Sequence, residues 1–302
     1  MKLSIKPFGL AMLLSFGAPV VAMVEQTPEP ALDTQADAAL EVTTDKTPEA
    51  VLEVITDEAP DVALDANQLL SYIDSLRGYQ DQSFSFELSN ISYKKNKQKH
   101  RNKLVVKVLN DASLVEFVAP ARSKGRKILK QAQNMWIRFP RTRNVLRVSP
   151  AQRLLGETSN GDVTGTNFSE DYTATLEASP EKSETIPNKS ETPSNKSEVI
   201  SEKPLLKLLL TAKHDKTTYQ KVVFFLDSEN HQPVRSDFYA RSGKLAKQAY
   251  YTEFKEFGGE LKLHKMRLVN PIIEGSYTWM MFDNYKKQTL EPAIFHKDAL
   301  SR

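Results

Sequence analysis

Apolar and polar positions alternate along most of the chain. Phe84, Phe86 and Leu88 alternate with polar neighbours from Ser83 to Leu88, and Leu104, Val106 and Val108 do the same against Lys103 and Lys107. A two-residue period sends successive side chains to opposite faces, which is the pattern of a half-buried strand. The same reading predicts strands over 134–139, 144–148, 205–212, 219–226, 234–240, 244–257, 261–269 and 277–285, most of them joined by turn-rich pieces such as DSENHQP, RSG and GG. KKNKQKHRNK, between the first two strands, reads as a hairpin end. A helix precedes the strands: Asp65 and Gln68 have cap spacing, Leu69, Leu70, Tyr72, Ile73 and Leu76 form an apolar stripe, and Gly78 ends it. SPAQRLLG predicts a second, short helix, with Ser149 as cap, Pro150 at the first helical position, Gln152 at capping-box spacing and Gly156 as terminator. Roughly ten to twelve antiparallel strands with few helices predict a mainly β fold, a large curved sheet or barrel whose faces differ sharply.

If inward positions follow the alternation, one face presents Phe84, Phe86, Leu88, Leu104, Val106, Val108, Met135, Ile137, Phe139, Leu146, Val148, Val222, Phe224, Phe238, Met280 and Phe282. Read from the residues alone, this is an ordinary core covered by the Leu69 helix. An open apolar pocket is the alternative, and Met135, Met266, Met280 and Met281 would make it adaptable.

The N-terminus adds a compartment. Lys2 and Lys6 precede an apolar run from Phe8 to Val21, and Val20-Val21-Ala22 supplies a cleavage site, so residues 1–22 read as a secretory signal peptide. The run is too short to span a bilayer, which takes about 20 apolar residues. Residues 23–63 differ from the rest: eleven Asp or Glu, one Lys, no aromatic residue, and a repeat in which LEVTTDKTPEAV is answered by LEVITDEAPDVA. So little apolar surface cannot offset the entropy of ordering, and an acidic disordered tether is expected. Residues 182–202 repeat Lys-Ser-Glu every seven positions and read as a disordered loop interrupting the folded part, residues 64–302.

The leader carries two positive charges and the tether a net ten negative, so the overall +3 leaves +11 on residues 64–302. Lys94, Lys95, Lys97, Lys99, Arg101 and Lys103 gather on one hairpin, and Arg122, Lys124, Arg126 and Lys127 on another segment. For an exported protein such a surface points to an anionic membrane or an acidic partner rather than nucleic acid. A solvated hairpin end is the plainer account.

No catalytic or metal motif emerges. The five histidines form neither HxxH nor HExxH, and there is no GxSxG. Ser92-Tyr93-Lys94-Lys95 has the Ser-x-x-Lys spacing by chance, without SDN or KTG. Cysteine is absent, which removes acylation, disulfides and thiol chemistry together. No enzyme, cofactor or metal is therefore expected, and a hydrolase would have to assemble its residues through the fold.

The stretch GRKILK, MWIRFP, RTRNVLRV, SPAQRLLG and TGTNFSED, from Gly125 to Asp171, resembles in content and order the outer-membrane lipoprotein-sorting protein family, relatives of the carrier LolA. AIFHKDAL is similar to that family's closing segment, with Phe295 and Leu300 as anchors, whereas Arg138 departs from the usual apolar residue. The resemblance implies an unclosed antiparallel β-barrel with a few short capping helices, in the periplasm, sheltering the acyl chains of a lipoprotein or lipid cargo. It implies an apolar site built from Phe84, Phe86, Leu88, Met135, Ile137, Phe139, Leu146, Leu154, Leu155, Phe224, Met280 and Phe282, with SPAQRLLG as a cap helix. Family members are often associated with inner-membrane transporters of the RND type, which implies such a partner. An envelope scaffold with a packed interior is the competing expectation.

Overall fold

The computed structural model describes residues 65–80, 83–142, 144–165, 167–177 and 204–301. The predicted signal peptide, tether and Lys-Ser-Glu loop lie outside these residues.

The first element is the predicted helix, α1 (Ala66–Ser75), capped by the Asp65 carboxylate, which accepts from Asn67 N. Its stripe of Leu69, Leu70 and Ile73 is buried. The strands follow in chain order: β1 (Phe84–Lys94), β2 (Lys97–Leu109), β3 (Ala112–Ala119), β4 (Lys127–Gln131), β5 (Asn134–Arg138), β6 (Val145–Arg147), β7 (Arg153–Leu155), β8 (Thr158–Ser159), β9 (Tyr172–Glu177), β10 (Leu205–Ala212), β11 (Lys221–Asp227), β12 (Pro233–Tyr239), β13 (Leu245–Phe257), β14 (Glu260–Val269) and β15 (Tyr277–Lys287). All but β7 and β8 form one thirteen-stranded antiparallel sheet in the order β6-β5-β4-β3-β2-β1-β15-β14-β13-β12-β11-β10-β9. β6 and β9 are its two edges and do not pair, so the structure is an unclosed antiparallel β-barrel with few helices.

The alternation becomes one concave apolar face. Phe86, Val106, Val115, Ile128, Ile137 and Leu146 stand directly opposite one another across six successive strands. All of these but Leu146 belong to a single core cluster that also holds Leu88, Met135, Phe224, Met280 and Phe282. The C-terminal turns Pro292–Phe295 and Lys297–Ser301 cover the other face of β3 to β5, burying Phe295 and Leu300 against Leu114 and Leu129.

Two local expectations change. KKNKQKHRNK is mostly strand: only Lys95 and Asn96 make the turn, both with positive φ, as a two-residue hairpin of the primed type requires. SPAQRLLG is not a helix. Gln152 N closes a turn on Ser149 O, but Pro150 O accepts from Gly161 N and Gln152 O from Asn160 N, so these carbonyls are committed outside any helical ladder. Leu154 and Leu155 lie in β7, half-buried against the core. The helix forms further on, as α2 (Asn160–Thr164), where Ser159 and Asp162 make a reciprocal capping box. A second short helix, α3 (Phe168–Asp171), follows, capped by Asn167.

Candidate functional site

The concave face divides into two halves, one plugged and one hollow. Plugging is the work of residues 157–164, which lie between the unpaired edges in sequence and bond to polar side chains on the concave face. Glu157 N donates to Thr278 Oγ1 at 2.9 Å, and Asn90 Nδ2 donates to Thr158 Oγ1 at 2.8 Å. Lys247 Nζ donates to Glu157 O at 2.8 Å and to Asp162 Oδ2 at 2.6 Å. Asp162 also accepts from Ser159 N and from the Tyr219 hydroxyl. Burial alone would push the Asp162 carboxyl up; the Lys247 ammonium and the hydrogen bonds override it and hold it below the usual carboxylate range. Gly156 makes the approach fit: its φ is +57°, and a Cβ there would run into Ser92 and Thr278.

The hollow half lies beside the C-terminal turn of α1. A cavity of about 700 Å³ has Phe84, Phe86 and Phe282 as its floor, with Tyr79 and Val108 beside them. Its mouth is polar, ringed by Ser71, Arg77, Asn110, Asp111, Lys130 and Glu170. The rings below form a continuous aromatic bed: Phe84 stacks on Phe86 at 6.2 Å, and Phe86 meets Phe282 at 5.9 Å and Tyr285 at 5.2 Å. The volume falls within the ~300–1,000 Å³ typical of small-molecule sites.

Polar bonds at its C-terminal end hold α1 beside this cavity. Lys262, its side chain buried, donates to Ser75 O at 2.8 Å and Gly78 O at 2.7 Å. Asp74 accepts from Phe168 N, Ser169 N and Ser169 Oγ, joining α1 to α3. Burial pushes the Asp74 carboxyl above its usual range against these bonds and the nearby Arg77.

Of the side chains assigned to an apolar site from sequence, Phe84, Phe86 and Phe282 line the cavity. Leu88, Met135, Ile137, Phe224 and Met280 are instead packed in the core around it. Phe139 and Leu146 are corrections. Alternation places both inside, but they are 38% and 53% exposed. Leu146 faces the same way as Ile137, its partner across the ladder, yet β6 is an edge strand, and among the described residues no strand lies beyond it to cover the side chain. Met281 faces outward, opposite Ser89 and Lys265.

Lys94, Lys95 and Lys97 are exposed at the β1–β2 tip, and Arg122 and Lys124 on the loop before β4. The two groups adjoin, since Arg122 Nη2 donates to His100 Nδ1 at 2.8 Å. Arg126 is a correction: it is half-buried between the rings of Phe117 and Phe139, 5.1 Å from each centroid, and burial lowers its pKa. Lys127 is half-buried in β4.

Sequence reasoning missed Asp162, Lys247, Glu157, Tyr219 and Asp74. One signal was available, a lysine at position 247 in step with the inward-facing Ala249. Among the described residues no group of three or more His, Asp or Glu is placed to hold a metal ion.

Solved structures share this architecture. A LolA superfamily protein from Nitrosomonas europaea superposes with a TM-score of 0.65 at 26% identity, covering 78% of this chain and 100% of its own. A DUF1329 family protein from Desulfovibrio piger gives 0.60 at 20% identity, over 78% and 97% of the two chains. A domain named for outer-membrane lipoprotein sorting, from Vibrio parahaemolyticus, gives 0.59 at 18%, over 78% and 98%. A family model described as "-like: Uncharacterized protein" matches residues 109–302. The chain belongs to this family, and its fold is the LolA-like one of the lipoprotein-sorting proteins. No curated protein matches it. No helix among the described residues is long and apolar enough to cross a membrane.

Proposed function

We propose that this LolA-like protein is a periplasmic carrier that shelters acyl chains of a lipoprotein or lipid in the cavity under α1. The observation that carries the reading is the combination of an aromatic floor with a polar mouth in a cavity of about 700 Å³. Each methylene moved from water onto such a floor contributes roughly 0.8 kcal/mol, so a partly inserted chain is held without any specific contact. Release then needs a partner that displaces the α1 roof, and an inner-membrane transporter of the RND type is the partner proposed. The reaction is transfer, with no bond made or broken. The basic hairpin side is proposed to face an anionic membrane surface.

Protein purified gently should retain lipid or acylated peptide, detectable by native mass spectrometry and organic extraction. Val108→Trp places bulk in the cavity and should abolish retention while leaving the fold intact; Lys97→Gln should leave retention unchanged. Absence of lipid from every preparation overturns the carrier reading. The scaffold reading has its own observation, since Phe84, Phe86 and Phe282 are at most 7% exposed and belong to the continuous core. It predicts that Val108→Trp changes nothing but stability.

A further inference from the structure

The turn between β14 and β15 reads Asn-Pro-Ile-Ile-Glu-Gly-Ser, residues 270–276. It is tightly held. The Asn270 side-chain oxygen accepts from Ile272 N and Ile273 N at 2.9 Å each, and Asn270 N and Ser276 O close the loop at 3.0 Å. Asn270 Nδ2 and Ser276 Oγ both donate to the buried Glu157 carboxylate, and Gly275 O accepts from Asn96 N of the neighbouring β1–β2 tip at 3.1 Å. An ordered loop thus carries two adjacent β-branched apolar side chains outward: Ile272 is 86% exposed and Ile273 43%. Single exposed apolar residues are commonplace, but a fixed pair at the apex of a charged end is not.

Lysines crowd the hairpin beside this apex. Lys94, Lys95 and Lys97 are exposed on the tip bonded to it, Lys99 and Arg101 follow along β2, and Glu274 is the acid within the loop. Among the described residues, no carboxylate is within ion-pair distance of Lys94, Lys95, Lys97 or Lys99. One step further back, Tyr93 stacks on Tyr277 at 4.6 Å, and Trp279 lies under the Lys265 ammonium at 4.5 Å. Apolar apex, cationic collar and aromatic girdle follow the order in which a bilayer presents acyl chains, phosphates and the headgroup boundary.

We propose that this end of the barrel docks on an anionic lipid bilayer, with Ile272 and Ile273 entering the headgroup boundary and the lysine collar against lipid phosphates. Neither signal suffices alone: one short apolar contact anchors marginally, and a polybasic patch is screened by salt. The apex lies at the opposite end of β1 from Phe84 on the cavity floor. Over the eleven residues of β1 that separation is about 35 Å, so a docked molecule turns its mouth away from the bilayer it stands on. The proposal deepens, and rests on, the membrane-facing reading of the basic hairpin. Cargo retention is measured separately, so either can fail alone.

The test is co-sedimentation of the full mature chain with vesicles of phosphatidylethanolamine and phosphatidylglycerol, against phosphatidylcholine alone. Emission from Trp279 is followed in a Trp136→Phe background. The expected result is binding to the anionic vesicles only, weakening with salt, with a blue shift of Trp279. Replacing Ile272 and Ile273 together by Ser should weaken binding about tenfold, and together by Leu should preserve it. Lys94→Gln, Lys95→Gln and Lys97→Gln combined should weaken it on the order of a hundredfold. Retained cargo should be the same in all of these variants. Binding unchanged by the Ser pair, binding equal on both vesicle types, or no binding overturns the proposal.

Discussion

Lys247→Met tests whether the plugged half of the barrel is held as described. Lys247 and Asp162 are almost wholly buried, 8% and 9% exposed, with Nζ and Oδ2 2.6 Å apart. Removing the ammonium leaves a buried carboxylate whose remaining donors are Ser159 N and the Tyr219 hydroxyl, and leaves Glu157 O without its bond. Breaking a buried pair in this way costs about 3–5 kcal/mol. In a domain of this size each kcal/mol moves the midpoint by about 2–4 °C, so the thermal transition should fall by roughly 6–20 °C. The double variant Lys247→Met with Asp162→Leu removes both charges and should recover much of the loss. Urea and thermal unfolding followed by circular dichroism would measure both. A single-variant cost under about 1 kcal/mol, or a double variant worse than the single, would show that the pair does not hold residues 157–164.

Asp74→Ala should cost about 1–3 kcal/mol, because Phe168 N and Ser169 N lose their acceptor; faster exchange of those two amides would locate the damage. Gly156→Ala should destabilise by at least about 1–3 kcal/mol, since position 156 combines positive φ with close approach to Ser92 and Thr278; denaturant midpoints would read it. Stability should also decline as pH rises above about 10. Burial raises the pKa values of Tyr172, Tyr219, Tyr251 and Tyr285, so the folded state keeps protons that the unfolded chain gives up there. Asp162 acts at the other extreme: its folded pKa is depressed, so its contribution is present above about pH 3.9 and is lost as pH falls further. Denaturant midpoints across pH would show both flanks.

Where one face meets the core and the other meets water, the fold was legible from alternation: α1 and β10 to β15 emerge close to their predicted bounds, and β1 begins as predicted but runs on to Lys94. β3 was not, because the core lies on one side of it and the C-terminal turns on the other; Ala112 to Val115 are all buried and the period disappears. Alternation gave Leu146 the right face but not its exposure, since burial depends on what lies beyond the sheet edge. SPAQRLLG failed for a different reason. Its capping residues are those of a helix start, yet Gly156 and Glu157 are fixed by partners on β1 and β15 far along the chain. The site was legible only in its floor. Asp162 and Lys247 are 85 positions apart, and no local pattern announces their meeting.

An apolar hollow in a barrel tends to close, because its walls gain dispersion and lose hydrated surface by moving together. What opposes closure here is polar and sits at the margins. The Lys262 ammonium fixes the two carbonyls at the end of α1, and Asp74 ties α3 to the same helix, so the helix cannot move further into the hollow from where Gly78 meets the Phe84 ring without breaking those bonds. On the far side the Asp162–Lys247 pair keeps residues 157–164 from sliding into the space. Apolar packing would have made a more stable interior, as buried ion pairs are often replaceable by hydrocarbon at no cost. Suspending the roof on directional bonds leaves the cavity over Phe84, Phe86 and Phe282 unfilled, which is what the proposed carrier role requires.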